Sequence, residues 1–320
     1  MQNLLVGMQR WMEQIDLGIR STASADRRTL EGEIIEQLQD SVLDEMQGAM
    51  GRFEDSVGKI PEGREATHTF YVRRQIHPLV LCSPFTYRTF HKPLGYAGDY
   101  EMVNMMIRDS YEGGSLFAKL INHAFLQAPP VVAHRNRISY LTRKLKDEAE
   151  RNAMKGKRTR ILNLGCGPAH EVKQFLENEE LSDLCDITLL DFNTETIEHT
   201  RKELTRVRAQ AGRVAPISLL QRSVHKLLRQ ASTGDVDLKW ESFDMVYCSG
   251  LFDYLSQRVC RRLNDLFARL LAPGGLMLVT NVSDTNPSRA WMEYVLEWNL
   301  IYRNDAAMTE IAPLNGGQFE

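Results

Sequence analysis

The chain has 320 residues, of which 43% are hydrophobic and 25% are charged, as is typical of a soluble globular protein. Its formal net charge of −3 argues against a nucleic-acid partner, because such binding usually requires a basic face. No segment approaches the run of about 18 apolar residues that spans a membrane, and residues 1–17 do not resemble a secretory signal, so a cytoplasmic location is expected.

The first 156 residues carry helical patterns and almost no strand pattern. An amphipathic helix is predicted from apolar residues that recur every four positions, namely Leu30, Ile34, Leu38, Val42 and Met46. A second long helix is predicted over residues 131–154, after two prolines that suit a helix start. We therefore expect a helical cap and substrate-binding domain at residues 1–156, ahead of an α/β domain at residues 157–320.

A glycine-flanked turn lies within this predicted cap. Gly95 and Gly98 bracket Tyr96 and Asp99, so a tight turn presents an aromatic ring and a carboxylate. One interpretation is that this turn closes over a bound cofactor, with the ring near a cation and the carboxylate accepting from an amine. The other is that it only packs the cap, with Asp99 capping a helix that starts at Tyr100.

From residue 159 onward, apolar strand patterns alternate with helical ones. Strands are predicted at residues 160–164, 186–190, 216–220, 243–248 and 276–282, and helices at 171–179, 194–211 and 259–271. The last two strands are nearly continuous apolar runs, as in a parallel sheet covered on both faces. Right-handed crossovers then predict a doubly wound, mostly parallel α/β sheet.

The first of these strands runs into a glycine turn, and the second ends in Asp191. Gly165 and Gly167 let the backbone approach a ligand closely, and a carboxylate at the next strand end can bind ribose hydroxyls. A dinucleotide fingerprint would need a third glycine where the chain has His170. The alternative is a strand-turn-helix unit without a ligand.

Cysteine usage predicts neither a metal site nor a disulfide framework. The five cysteines are scattered and form no Cys-x-x-Cys pair. Cys166 lies inside the glycine turn, where a small side chain is needed, and it is interpreted as a spacer rather than a nucleophile.

The segment from Asn163 to Ala169 resembles motif I of the class I S-adenosylmethionine (SAM) methyltransferases, although that family usually has Asp or Glu at the position of Asn163. The resemblance implies a Rossmann-like fold with SAM as cofactor and S-adenosylhomocysteine as product. It implies cofactor contacts at Asn163, Gly165, Cys166, Gly167, Asp191 and Phe192.

Two later segments extend the resemblance. Ser223 and Val224 occupy the position that contacts adenine, and residues 243–255 are similar to motif IV, where Ser249 and Gly250 carry backbone past the methionine part of SAM. The segment lacks the Asp/Asn-Pro-Pro-Tyr signature of enzymes that methylate exocyclic amines of bases, which counts against a DNA methyltransferase.

Residues 90–102 and 280–303 narrow the resemblance to bacterial methyltransferases labelled as making an extracellular factor, 3-hydroxypalmitic acid methyl ester. This resemblance covers about residues 85–302 and implies O-methylation of a fatty or hydroxy-fatty acid. Arg289 is a candidate to hold the substrate carboxylate, with Tyr96 and Tyr302 as further substrate contacts and Tyr96 and Asp99 as cofactor contacts. One helix is predicted to carry Arg289, Trp291, Tyr294, Trp298 and Tyr302.

The acceptor decides whether a base is needed. A carboxylate requires none, whereas a hydroxyl or amine would lose its proton to Asp253, Tyr254 or His225. Asp253 and Tyr254 are the predicted catalytic residues. The alternatives to a small-molecule acceptor are a protein or amine acceptor, or a non-catalytic SAM-binding regulatory or assembly subunit.

The end of the chain is short for this fold. Residues 306–311 read as a helical piece and 313–317 as a turn, so the usual strands 6 and 7 are expected to be missing. A bare edge at strand 5 is a pairing hazard. It would be covered by the cap, by a second copy in a homodimer or by a partner protein, unless the natural gene is truncated.

Overall fold

The computed structural model describes residues 1–108, 110–234 and 238–313, with the backbone but not the side chains of residues 24 and 25. Contacts divide the chain into two units. The helical unit comprises Met1–Arg135 and Asn286–Asn299, and the sheet unit comprises Asn136–Thr285 and Leu300–Glu320. This division falls after Arg135 and assigns residues 286–299 to the helical unit, whereas the domain bounds 1–156 and 157–320 stay a prediction.

The helical unit is built from six helices and the start of a seventh. They are α1 (Gln2–Arg20), α2 (Ser24–Val57), α3 (Glu65–Val80), α4 (Pro84–His91), α5 (Tyr100–Met105), α6 (Leu116–Leu126) and α7 (Pro129–Ala153). The predicted amphipathic stripe lies in α2, where Val42 and Met46 are buried in the core of this unit. Helix α6 is apolar almost all round, and such a helix is stable only when surrounded by others.

Residues 286–299 contain a short π-helix, Trp291–Val295, and not the single long helix that the sequence predicts. Trp291 stacks on Phe125 with ring centroids 5.0 Å apart and meets Phe53 edge-on at 5.9 Å. The backbone at Glu297 is left-handed with φ of 52°, a conformation that ends a right-handed helix. The prediction of one helix through Tyr302 is therefore wrong, although Trp291 and Tyr294 are buried.

The described residues of the sheet unit form five parallel strands in the order β3-β2-β1-β4-β5. The strands are β1 (Thr159–Leu164), β2 (Cys185–Asp191), β3 (Ile217–Gln221), β4 (Phe243–Cys248) and β5 (Leu271–Val279). The helices are α8 (His170–Asn178), α9 (Thr194–Gln210), α10 (Val224–Thr233), α11 (Gln257–Leu270) and α12 (Asp305–Glu310). The prediction of a doubly wound parallel sheet is confirmed, and the order reverses between β1 and β4.

Strand β5 begins five residues earlier than predicted, because Pro273, Gly274 and Gly275, which favour a turn locally, lie inside the strand as an irregularity. Leu271 pairs with Phe243 and Leu276 pairs with Met245, so residues 272–275 bulge opposite a single residue of β4. Gly274 has a φ of 74°, which suits glycine. Pairing resumes beyond the bulge.

After β5, residues 280–313 contain no strand, and α12 confirms the predicted helical piece. The turn predicted at residues 313–317 falls almost entirely outside the described residues, so the expectation about strands 6 and 7 stays a prediction. Among the described residues, no helix is both long and apolar enough to cross a membrane.

Candidate functional site

The glycine turn is tied to the end of β2 by its own backbone. The N–H groups of Gly165 and Cys166 both donate to the carbonyl of Leu190, at 2.8 and 3.0 Å. Gly165 and Gly167 have φ of 72° and 51°, in the left-handed region that favours glycine. The predicted turn therefore lies beside Asp191, at the carboxyl ends of β1 and β2.

Asp191 is buried and organises this turn. One carboxylate oxygen accepts from the N–H of Gly167 at 3.1 Å, and the other accepts from the N–H of Asn193 at 3.0 Å. Burial raises the pKa of Asp191, whereas these backbone hydrogen bonds lower it. A further backbone hydrogen bond from Phe192 also lowers the pKa, and the carboxylate still has acceptor capacity for a hydroxyl. The next residue, Phe192, has half of its side-chain surface exposed.

Asn163 joins a buried polar cluster under the glycine turn. Its Nδ2 donates to Oε1 of Glu171 at 3.1 Å, and the hydroxyl of Tyr247 donates to the same oxygen at 2.8 Å. Burial raises the pKa of Glu171, and the hydrogen bond from Tyr247 and the charge of Arg137 lower it. Within the described part of the chain, Oδ1 of Asn163 has no hydrogen-bond partner. The sequence analysis missed Glu171, whose only signal was its place in the first turn of α8.

The backbone after β4 forms the third wall of the site. Gly250 has a φ of 84°, and its N–H donates to Oγ1 of Thr280 at 3.2 Å. The hydroxyl of Ser249 lies 3.4 Å from the same oxygen. A Cβ atom at position 250 would lie 3.1 Å from a guanidinium nitrogen of Arg137, which comes from α7. Arg137 is a second residue that the sequence analysis missed, because no motif marks it.

Asp253 holds the segment after β4 in place. Its Oδ1 accepts from the N–H of Val282 at 2.6 Å, and its carbonyl accepts from the N–H of Ile301 at 2.7 Å. Burial raises the pKa of Asp253, and Arg137 and Arg303 lower it. Arg303 is buried and donates to the carbonyls of Phe252 and Leu255 at 2.8 and 2.6 Å. The observed contacts of Asp253 are thus structural, and its catalytic role stays a prediction.

The other predicted residues of the sheet unit have simpler surroundings. Tyr254 is 38% exposed, so its ring is open to solvent. Ser223 caps α10 by accepting from the N–H of Lys226 at 3.2 Å, and Val224 is the first residue of that helix. Tyr302 is partly buried, and His225 is exposed. Their predicted roles remain predictions.

Tyr96, Asp99 and Arg289 belong to the helical unit. Asp99 is buried, accepts from the N–H of Met102 at 2.8 Å and pairs with Arg88 at 2.9 Å. These contacts are the helix cap that the sequence offered as the alternative role for Asp99. Arg289 is exposed and pairs with Glu293 at 2.8 Å, and Tyr96 is partly buried.

The Cys166 thiol is buried and not activated. Burial raises the pKa of the Cys166 thiol well above its usual value, and the charges of Asp191 and Glu171 raise it further. The thiol is therefore protonated at neutral pH, as a spacer would be. The described residues contain no cluster of three or more metal-ligating side chains.

The donors and acceptors at the strand ends fit SAM. Asp191 offers a carboxylate acceptor to a ribose, and the unpartnered Oδ1 of Asn163 can accept from an ammonium group. No heavy atom lies within 4 Å of a Cβ built on Gly167, so there is open space above the turn. The exposed ring of Phe192 offers an apolar surface to a base.

Comparison with known proteins gives the family of this segment. Residues 155–313 match the sequence profile of a family described as "Methyltransferase domain". No curated protein shows significant sequence similarity to the chain.

Solved structures show weaker similarity. PKMT2 from Rickettsia typhi in complex with AdoHcy shares 22% identity over 38% of this chain and 20% of its own, with a TM-score of 0.30. Phosphoethanolamine N-methyltransferase 1 from Haemonchus contortus shares 15% identity over 45% of this chain and 27% of its own, with a TM-score of 0.31. The DszA carbon methyltransferase shares 12% identity over 77% of this chain and 53% of its own, with a TM-score of 0.42. The chain thus spans at most about half the length of these proteins.

TM-scores below 0.5 do not establish a shared activity, and the family profile is the finding that classifies the segment. Residues 155–313 form a methyltransferase domain, and its cofactor is S-adenosylmethionine.

Proposed function

We propose that this protein transfers the methyl group of SAM to a small molecule, and that the accepting atom is a carboxylate oxygen of a fatty or hydroxy-fatty acid. The observation that carries the methyl-transfer part is the buried Asp191 beside an open glycine turn in a methyltransferase domain. The acceptor is argued from the sequence resemblance and from the side chains described next.

When bound, SAM supplies an electrophilic methyl group on a sulfonium. The residues of the sheet unit then need to bind and align the reactants and to exclude water. Asp191 would hold the ribose and Asn163 the amino group, while the backbone from Ser249 to Gly250 would border the reacting methyl. Phe192, Ser223 and Val224 would contact the adenine.

A carboxylate acceptor suits the side chains at the end of β4. Asp253 is buried and already accepts from the N–H of Val282. A carboxylate oxygen is ionised at neutral pH, so it attacks the methyl group without losing a proton to a base. If the acceptor is a hydroxyl or amine instead, Asp253, Tyr254 and His225 are the candidates for that proton.

The helical unit carries an apolar pocket of only about 20 Å³, room for about one water molecule, so the proposal of a fatty acceptor rests on the sequence resemblance. It is lined by Phe85, Thr86, Phe125, Ala128, Pro130, Val131, Ser288, Trp291, Met292, Leu296 and Trp298. Arg289 and Tyr96 are the residues of this unit that we propose for the acceptor, and the sequence resemblance also proposes Tyr302. An acid that binds Arg289 would replace Glu293 as its ion-pair partner.

The test uses SAM with a labelled methyl group and a panel of fatty acids, 3-hydroxy-fatty acids, amines and cell metabolite extract. We expect a base-labile methyl ester that mass spectrometry identifies. Arg289→Ala should raise the KM for the acid, whereas Arg206→Ala, which removes a similarly exposed ion pair with Glu203, should not. A methylated amine or protein without any ester contradicts the proposed acceptor. SAM binding without transfer to any acceptor contradicts the enzyme and favours a regulatory subunit.

A further inference from the structure

We propose that Arg303 is a positioning residue for methyl transfer, which holds residues 251–255 against the glycine turn of the proposed cofactor site. Arg303 acts through these residues and does not itself touch a reactant. The inference rests on the part of the proposed function that places SAM at this turn. It does not depend on which acceptor is methylated, because its test measures cofactor binding.

Residues 251–255 follow β4 and include Asp253 and Tyr254, the predicted catalytic residues. A Cβ atom built on Gly165 would lie 3.3 Å from Cδ2 of Leu251 and 3.4 Å from its Cβ. Carbon atoms in van der Waals contact lie about 3.5–4.0 Å apart, so Leu251 occupies space that a side chain at position 165 would need. The segment therefore packs directly on the glycine turn, and a shift of the segment would change the shape of the cofactor site.

The guanidinium of Arg303 spans a short turn inside this segment. Phe252–Tyr254 forms a single turn of 3-10 helix. Nη1 of Arg303 donates to the carbonyl of Phe252 at 2.8 Å, and Nη2 donates to the carbonyl of Leu255 at 2.6 Å. These two hydrogen bonds hold the carbonyls at both ends of the turn. The planar guanidinium thus fixes the turn as a unit, because its N–H groups have a fixed relative geometry.

Other hydrogen bonds hold Arg303 itself in place. Its Nε donates to Oε1 of Gln257 at 3.0 Å, Nη1 also donates to Oδ1 of Asn281, and its backbone N–H donates to the carbonyl of Val282 at 3.2 Å. Nδ2 of Asn281 in turn donates to the carbonyl of Ile301 at 2.8 Å. The position of the guanidinium is therefore set by the first residue of α11 and by the backbone that follows β5.

The energetics favour a role in geometry over a role in stability. Arg303 is buried, and the acceptors of its side-chain hydrogen bonds in the described residues are neutral carbonyl and amide oxygens. Burying a cation costs free energy, and a well-packed apolar residue of similar volume would avoid that cost. Such a residue could not hold the two carbonyls of the turn. We therefore expect the arginine to contribute mainly the position of residues 251–255.

The experiment measures the affinity for S-adenosylhomocysteine by calorimetry and the stability by urea unfolding, in the same variants of the full chain. The variants are Arg303→Gln and Arg303→Lys. The control is Asn264→Ala, which removes a buried hydrogen bond from α11 to the carbonyl of Ile311, 2.7 Å long, in which neither Arg303 nor residues 251–255 take part. All three changes should lower stability, so the control separates a loss of stability from a loss of position.

We expect Arg303→Gln to weaken S-adenosylhomocysteine roughly tenfold or more, and Asn264→Ala to change its affinity by less than about twofold. Arg303→Lys keeps the charge but loses the planar fork, so its affinity should lie between those of Arg303→Gln and the unaltered chain. This intermediate value would show that the geometry of the fork contributes beyond its charge.

Undiminished binding by a folded Arg303→Gln variant would overturn the proposal, and so would an equal weakening by Asn264→Ala. If Arg303→Gln does not fold, Arg303→Lys carries the test. A folded Lys variant with unaltered affinity would mean that the fork is not needed, and it would also overturn the proposal. Selective weakening in the Arg303 variants, together with no ester product from any acid, supports this inference and contradicts only the proposed acceptor.

Discussion

Asp191→Asn separates the binding role of this residue from its structural role. In the folded chain, one carboxylate oxygen accepts from the N–H of Gly167 and the other from the N–H of Asn193, and the backbone of Phe192 adds a further hydrogen bond. An asparagine offers one acceptor oxygen and an NH₂ group, so one of these N–H groups loses its partner. That loss costs about 1–3 kcal/mol of folding free energy.

An opposing effect reduces this cost. Burial raises the pKa of Asp191, so the charged carboxylate is less favourable in the folded chain than in the unfolded chain at neutral pH. The neutral amide avoids that penalty. We therefore expect a net loss of stability of about 1 kcal/mol, small enough for the variant to remain folded.

No comparable effect offsets the loss of ligand affinity in Asp191→Asn. A ribose diol donates to a carboxylate through charge-assisted hydrogen bonds, which are worth about 1.5–3 kcal/mol. Asp191→Asn should therefore weaken S-adenosylhomocysteine by roughly 10- to 150-fold. Calorimetry measures the affinity and urea unfolding measures the stability of the same variant.

The control is Asp186→Asn at the other end of β2, where the carboxylate is exposed and pairs with Arg158. It should change stability by less than about 1 kcal/mol and leave ligand affinity unaltered. Undiminished S-adenosylhomocysteine binding by a folded Asp191→Asn variant would remove Asp191 from the cofactor site.

Two further predictions concern stability. Burial lowers the pKa of His170 from 6.5 to about 4, so the unfolded chain binds more protons in this window and stability falls as pH drops through it. The free energy of unfolding should therefore fall by about 1–3 kcal/mol between neutral and acid pH, and His170→Gln should abolish most of this fall. Urea unfolding at several pH values measures it, and the exposed control His225→Gln should leave it in place. Glu54 accepts from the N–H groups of Ala290 and Trp291, both at 2.8 Å. Glu54→Gln should lower the free energy of unfolding of the helical unit by about 1–2 kcal/mol, measured in thermal or urea melts. Asp55→Asn, at the exposed neighbouring position, is the control. An equal effect of that control would contradict a specific role of Glu54 in capping the N–H groups of Ala290 and Trp291.

The strands of the sheet unit could be predicted because each is a short apolar run that packs on both faces. Residues 243–248 coincide with β4, whose residues are almost all buried. The start of β5 could not be predicted in the same way, because Pro273 and Gly274 signal a turn locally. The ladder with β4 overrides that signal and incorporates the turn as a bulge.

For the aromatic segment after β5, the sequence predicted burial but not the backbone conformation. A three- and four-residue spacing of tryptophan and tyrosine predicts a helix, and Trp291 is indeed buried. Its actual conformation depends on contacts remote in sequence, with Phe53, Phe125 and the Glu54 carboxylate. Spacing cannot supply those contacts, so it could not predict the π-helix or that these residues pack in the helical unit.

Glu171 was missed for the same reason, and its carboxylate explains the unusual Asn163. The resembled family has a carboxylate at this position, at the end of the first strand. Here α8 supplies a carboxylate instead, since Glu171 accepts from Nδ2 of Asn163 and from Tyr247. A second carboxylate at position 163 would place two like charges in one buried cluster, and that would raise the pKa of one of them strongly. The neutral amide avoids this repulsion and leaves its oxygen available as an acceptor. A carboxylate is thus retained under the glycine turn, but it belongs to α8 rather than to the end of β1. Matching a motif one position at a time cannot detect a carboxylate that has moved to another element.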